Sequence, residues 1–205
     1  MPQHDIVVVG AGLAGLRAGV TAISVLTEPN FFHGSLEDIE EVRRATDLPI
    51  LRKDFIVHAS QIYEAAVAGA DAVLLIVAAL NDAELAALLE TAESLGLDAL
   101  VEVHAADEVQ RAADFGGALI GVNNRDLGSL QVSLDTSVQL ARVAPADAIL
   151  VSESGIKTPD DVARLARAGY RGFLIGESLM RAADPAALIA KFRAAAAETM
   201  KLSRT

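Results

Sequence analysis

Short apolar runs alternate with longer amphipathic stretches along most of the chain. The runs are Ile6–Val9, Ala22–Leu26, Ile50–Lys53, Ala72–Ile76, Ala99–Val103, Leu119–Asn123, Ile149–Glu153 and Gly172–Ile175. Each is nearly uninterrupted and rich in branched residues, the pattern of a strand buried on both faces. A strand recurs about every 20–30 residues with a helical stretch between, as in consecutive parallel βα units. Asn81-Asp82-Ala83-Glu84 predicts a capped helix start, as do Thr158-Pro159 and Asp184-Pro185, where a capping side chain precedes proline. Gly69, Gly96, Gly116 and Gly169 stand where helices should end. Val73 to Leu80 reads as a buried strand running into a loop. The last helix is expected from Pro185 to about Thr199, before a polar tail at residues 198–205.

Eight parallel strands joined by right-handed crossovers close most naturally into a (βα)8 barrel, an α/β fold of one domain. The rival is an open, doubly wound sheet, which the length of 205 residues suits slightly better.

The first unit stands apart. Gly10-Ala11-Gly12-Leu13-Ala14-Gly15 follows the strand Ile6–Val9 directly. This is the spacing of a dinucleotide-binding turn, with Gly10, Gly12 and Gly15 as cofactor-contact candidates and Glu28 near the position of a ribose-binding acid. Only Leu13 to Val20 remains for the intervening helix, short for a crossover, and no second dinucleotide half follows.

Bulk properties narrow the classes. An apolar fraction of 52% fits a buried sheet. The net charge of −11 disfavours nonspecific nucleic-acid binding and anionic membranes, while leaving room for a small anionic ligand held by local fields. There is no cysteine, which removes disulfides, thiol catalysis and thiolate metal sites, and suits a cytoplasmic setting. The first residues lack the charged region of a signal peptide, and no apolar run is long enough to span a bilayer.

The chemistry gathers at the strand ends. Lys53 closes an apolar strand, where burial disfavours an ammonium unless it is paired or solvated. A snorkelling surface lysine is the plain alternative. Yet polar residues recur at the same end of later strands: Glu102, Asn123 with Arg125, Glu153 with Ser154, and Gly176 with Ser178. A barrel would gather these tips at one mouth; an open sheet would leave them in a row. A lysine and two glutamates in one pocket would perturb one another and supply acids and bases. Taken singly, either glutamate could simply sit at a wet rim. Ser154-Gly155 and Gly176-Glu177-Ser178, after the last two strands, offer small residues and backbone N–H groups suited to phosphate, with Glu177 contributing only its backbone.

Seven segments, in order, resemble the indole-3-glycerol phosphate synthase family. They are Ile23–Pro29, Phe31–Ser35, Leu51–Phe55, Val101–His104, Gly121–Leu127, Ser152–Ile156 and Gly176–Met180, and the likeness runs from about Gly19 to Ala197. The resemblance implies a (βα)8 TIM barrel and a carbon-carbon lyase (carboxy-lyase) of tryptophan biosynthesis. The family closes the indole ring of 1-(2-carboxyphenylamino)-1-deoxyribulose 5-phosphate with loss of carbon dioxide and water, using no cofactor and no metal. By position, Lys53 would be the general acid and Glu102 the acid/base of dehydration. Asn123, Arg125 and Glu153 would position substrate, and Ser154, Gly155, Gly176 and Glu177 would cradle phosphate. Phe32 and Phe55 would wall the anthranilate ring. Implied partners are a small phosphorylated substrate, with a second copy of the chain or other tryptophan-pathway enzymes.

The likeness breaks at the start. The family carries an extra N-terminal helix and a first strand ending in Glu-x-Lys, where residues 1–18 here are of dinucleotide-binding type. The barrel is therefore expected to be N-terminally truncated or to have a substituted first strand, Ile6–Val9, and the activity to be much reduced. A catalytically inactive sugar-phosphate-binding barrel and a flavin- or nicotinamide-binding protein are the competing readings.

Overall fold

The computed structural model describes residues 20–202. Seven parallel strands lie in simple sequence order: β1 (Ile23–Leu26), β2 (Ile50–Lys53), β3 (Ala72–Ile76), β4 (Asp98–Val103), β5 (Leu119–Asn123), β6 (Ile149–Glu153) and β7 (Gly172–Leu174). Between them run α1 (Leu36–Ala45), α2 (Ala59–Ala68), α3 (Asp82–Ser94), α4 (Ala106–Asp114), α5 (Leu134–Leu140) and α6 (Pro159–Arg167). After β7 come α7 (Glu177–Arg181) and α8 (Pro185–Leu202). Strand positions follow the apolar runs to within one residue at each end. The eighth run, Ile6–Val9, lies outside the described residues.

Two departures from expectation are local. A 3-10 turn, Val77–Ala79, follows β3 where a loop was expected. The last helix continues to Leu202, past the expected end near Thr199, because Ala194–Glu198 offers no breaker and Thr199 bonds back to the Ala195 carbonyl (2.9 Å). The predicted caps form. Asn81 and Glu84 make a reciprocal box, with Glu84 N–H donating to Asn81 Oδ1 (3.0 Å) and Asn81 N–H to Glu84 Oε2 (2.8 Å). Thr158 and Asp161 do the same at α6, and Asp184 Oδ1 accepts from Ala187 N–H (3.0 Å) at α8.

The sheet curls. The tips of β2 and β6 are four strand spacings apart, roughly 19 Å in a flat sheet. Lys53 Nζ nevertheless lies 3.5 Å from Glu153 Oε2. With helices on the outer face, this is a truncated (βα) barrel, and the doubly wound alternative is set aside.

Curling divides the core. Outward strand residues such as Ile50, Val73, Leu75, Val101, Ile120 and Phe173 pack under the helices. Their inward neighbours Leu51, Leu74, Ile76, Leu100 and Val151 fill the interior as a separate cluster. Because side chains alternate along a strand, the inward set continues upward through Lys53, Glu102, Asn123 and Glu153. The alternation that hides leucine below therefore aims polar groups into the hollow above. No described helix is long and apolar enough to cross a membrane.

Helix α8 docks on the barrel through Ile189, Phe192 and Ala196. Replacing Phe192, which is fully buried, with alanine is expected to lower unfolding free energy by about 3–5 kcal/mol in chemical denaturation. A loss under about 1 kcal/mol would mean that α8 does not depend on this contact.

Candidate active site

The barrel's upper hollow holds four of the predicted residues together. Lys53 Nζ lies 3.3 Å from Glu102 Oε2 and 3.5 Å from Glu153 Oε2. Asn123 Nδ2 donates to the other oxygen, Glu102 Oε1 (3.1 Å). Both glutamates are almost wholly buried, at 2% and 1% side-chain exposure, which rules out a wet rim for either.

One ammonium faces two carboxyls, and burial sets how they share protons. Burial works to discharge Lys53, but the carboxylates of Glu153 and Glu102 outweigh it and raise its pKa above the ordinary lysine value. The site thus holds a cation. Glu153 is pushed up to about 8, first by burial and then by repulsion from Glu102, with Lys53 opposing. Near neutral pH Glu153 therefore keeps its proton. Its Oε1 has no hydrogen-bond partner.

Gly121, not among the predicted site residues, makes room for this arrangement. It sits on β5 facing the hollow, and a Cβ there would come within 2.2 Å of Glu153 Oε1. Strand alternation could have revealed it, since Gly121 shares a face with Leu119 and Asn123.

Beneath the β2 tip lies Arg52, a buried cation that the sequence reading passed over. It donates to Thr27 Oγ1 (3.1 Å), Asp54 Oδ2 (2.9 Å) and the Gln61 carbonyl (2.5 Å). Thr27 Oγ1 also donates to Asp54 Oδ2 (2.7 Å), and Asp54 Oδ1 accepts from Phe55 N–H (2.8 Å). Arg52 thereby fixes the loop that carries Phe55 and the β1 end beside it.

Glu28 is likewise committed. Its carboxylate accepts from the backbone N–H groups of Asn30 (2.9 Å), Phe31 (2.6 Å) and Phe32 (3.2 Å). Burial would raise its pKa, but these amides win and hold it below the ordinary value. A carboxylate so occupied folds the loop bearing Phe32, a structural part that the spacing from a glycine-rich turn does not suggest. Gly10, Gly12 and Gly15 lie outside the described residues. Phe32 and Phe55 are about half exposed, in the loops after β1 and β2.

The loops after β6 and β7 carry Ser154, Gly155, Gly176 and Glu177. Ser154 takes a left-handed backbone (φ 64°), and Gly155 follows with φ 79° where a Cβ would meet Val132 Cγ1 at 2.4 Å. Asn124, also missed, anchors this turn. Its Nδ2 donates to the carbonyls of Glu153 (2.9 Å) and Ser154 (3.1 Å) and to Ser152 Oγ (3.0 Å). Ser178 Oγ donates to the Ile156 carbonyl (2.5 Å), tying the two loops together. The Glu177 carboxylate turns to Arg181 (3.1 Å) on the exposed face. Arg125 meets the Lys53 cluster through its backbone, whose N–H donates to Asn123 Oδ1 (3.0 Å), while its guanidinium donates to the Leu130 carbonyl (3.3 Å).

Among the described residues, no group of three His, Asp or Glu side chains could hold a metal ion. A cavity of about 1030 Å³ opens at the opposite end, between strand starts such as Ile50, Ala72, Leu119 and Gly172, and contains none of the clustered groups. Barrel chemistry is placed at the strand ends, so this hollow is not taken as the site.

The profile of the indole-3-glycerol phosphate synthase family matches residues 4–192. The chain belongs to this family. Among its relatives, the indole-3-glycerol phosphate synthase of Carboxydothermus hydrogenoformans is 51% identical over 170 residues, covering 82% of this chain and 64% of that protein. The synthase of Nocardioides sp. is 54% identical over 167 residues, with the same coverage of each. The chain thus spans just under two thirds of their length. Among solved structures, 3-hexulose-6-phosphate synthase from Salmonella typhimurium superposes with a TM-score of 0.77 over 95% of this chain and all of that one, at 16% identity. A thiamine phosphate pyrophosphorylase from Pyrococcus furiosus gives 0.73 over 97% and 98%, at 17% identity. At such identities these two show the fold alone.

The charge sharing has a consequence for stability. The folded chain holds the Glu153 proton up to about pH 8, whereas an ordinary glutamate releases it near 4.5. Between these values the unfolded chain binds fewer protons. Stability from this group is therefore full below pH 4.5 and lost as pH rises through 8. Denaturant unfolding should show stability falling by up to about 1.4 kcal/mol per pH unit across this window. Glu153→Gln should flatten the slope; an unchanged slope would contradict the assignment.

Proposed function

We propose that this chain catalyses the family's ring closure, converting 1-(2-carboxyphenylamino)-1-deoxyribulose 5-phosphate to indole-3-glycerol phosphate with release of carbon dioxide and water. The observation that carries this reading is the Lys53 ammonium, kept protonated between Glu102 and Glu153 inside the curled sheet. Attack of the aromatic ring carbon on the ketone carbon turns its oxygen into an alkoxide, which needs a proton as the bond forms. A held ammonium is a donor for that step. Loss of the ring carboxylate as carbon dioxide then restores aromaticity. Departure of the new hydroxyl as water requires a group that both takes and gives a proton, and Glu102, beside Lys53 and oriented by Asn123, suits that part.

The rest of the site supports the same substrate. Glu28 and Asp54 bind the backbones of Phe32 and Phe55, so the two rings stand on fixed loops and can flank a planar anthranilate. The left-handed turn at Ser154-Gly155 and the start of α7 at Gly176-Glu177 offer backbone N–H groups to the phosphate. Arg125 would turn from Leu130 toward the substrate carboxylate. A cytoplasmic setting is supported by the cysteine-free composition. Residues 1–18 contain neither glutamate nor lysine, so the reading carries a rate below that of a family member with the Glu-x-Lys pair.

Product indole fluorescence tests the proposal. The chain should generate it from the synthetic substrate, and Lys53→Ala should lower kcat by about 10²–10⁴. Retention of the parent rate by Lys53→Ala would overturn the role of Lys53. Thermal stabilisation by the substrate without any fluorescence would favour a sugar-phosphate-binding barrel instead.

A further inference from the structure

His104 follows β4 directly, two residues beyond Glu102, and the proposed reaction does not use it. Both its ring nitrogens are buried and both face carboxylates. Nε2 lies 3.4 Å from Glu102 Oε1, and Nδ1 lies 3.5 Å from Glu108 Oε2. These are ion-pair distances, and the angles fall short of hydrogen bonds. Glu108, in the first turn of α4, is itself fixed by accepting the His104 backbone N–H (2.6 Å).

The result is an unbroken line of alternating groups: Glu153, Lys53, Glu102, His104 and Glu108, each 3.3–3.5 Å from the next. Three carboxyls face two bases. If Glu153 keeps its proton, the line is neutral only when His104 is an imidazolium. A neutral imidazole would leave an unbalanced carboxylate in a buried place, which is costly.

We propose that His104 is a positioning residue for Glu102: held by Glu108 on one side, it faces one oxygen of the Glu102 carboxyl and keeps the other turned toward Lys53. This deepens the synthase reading and rests on it for its catalytic consequence. Groups facing the ring come from every side. Glu108 raises its proton affinity most, burial opposes, and Glu102 and Glu153 add to the rise. Asp126, in the loop after β5, also feels its charge. Lys53 stands on the far side of Glu102.

Carbon-detected titration of the imidazole signals, with His104→Asn identifying the peak among four histidines, tests the line without needing turnover. His104 should titrate above 6.5, and Glu102→Gln and Glu108→Gln should each lower its midpoint while leaving His58 unmoved. A midpoint indifferent to Glu102→Gln would overturn the proposal. In turnover, His104→Asn should lower kcat about tenfold with KM within about twofold. A changed melting temperature with kcat unmoved would reduce His104 to a packing role and overturn the proposal. A parent chain without turnover would count against the synthase reading alone, and the titration would still decide the role of His104.

Discussion

A single ammonium shared by two buried carboxyls is the interaction on which the rest of the molecule turns. Three titratable groups removed from water are costly unless their charges and protons are matched. Lys53 stays charged and Glu153 stays protonated, with Glu102 on the other side of the ammonium. That division requires side chains from β2, β4 and β6 to meet, which only a curled sheet permits. The fold and the chemistry therefore make the same demand on the backbone.

Ordinary local rules meet that demand. Alternation along each strand puts Leu51 below Lys53, Leu100 below Glu102 and Val151 below Glu153, so the inner face changes from apolar to ionisable over one step. The missing side chain at Gly121 leaves the volume that the Glu153 carboxyl fills. Outside the hollow, charged side chains secure the loops. Arg52 ties Thr27, Asp54 and Gln61 together, while Glu28 gathers three backbone amides. These two are structural charges, and their burial is satisfied at every turn.

Much of this was readable in the chain. Continuous apolar runs marked seven described strands within a residue, because parallel strands covered on both faces leave little ambiguity of period. The tips Lys53, Glu102, Asn123 and Glu153 stood out since a polar residue ending such a run is unusual. Arg52, Asn124 and His104 were harder. Each lies within two residues of one already singled out, and only the three-dimensional structure separates a side chain that enters the hollow from one that braces the neighbouring loop. The part Glu28 plays was hidden for a related reason: its distance from a glycine-rich turn matches one pattern, while its partners in the structure are the amides of Asn30, Phe31 and Phe32. The 3-10 turn after β3 and the extension of α8 carry no strong local signal.

The direct measurement of this charge sharing is the protonation of Glu153 itself. In a chain labelled with ¹³C at glutamate side-chain carbons, Glu153→Gln identifies its carboxyl resonance, and that resonance is followed against pH. A midpoint near 8, displaced when Lys53 is replaced by methionine, is the result expected of a carboxyl kept protonated by burial beside an ammonium. A midpoint near 4.5, insensitive to Lys53, would show that the two do not share a buried hollow.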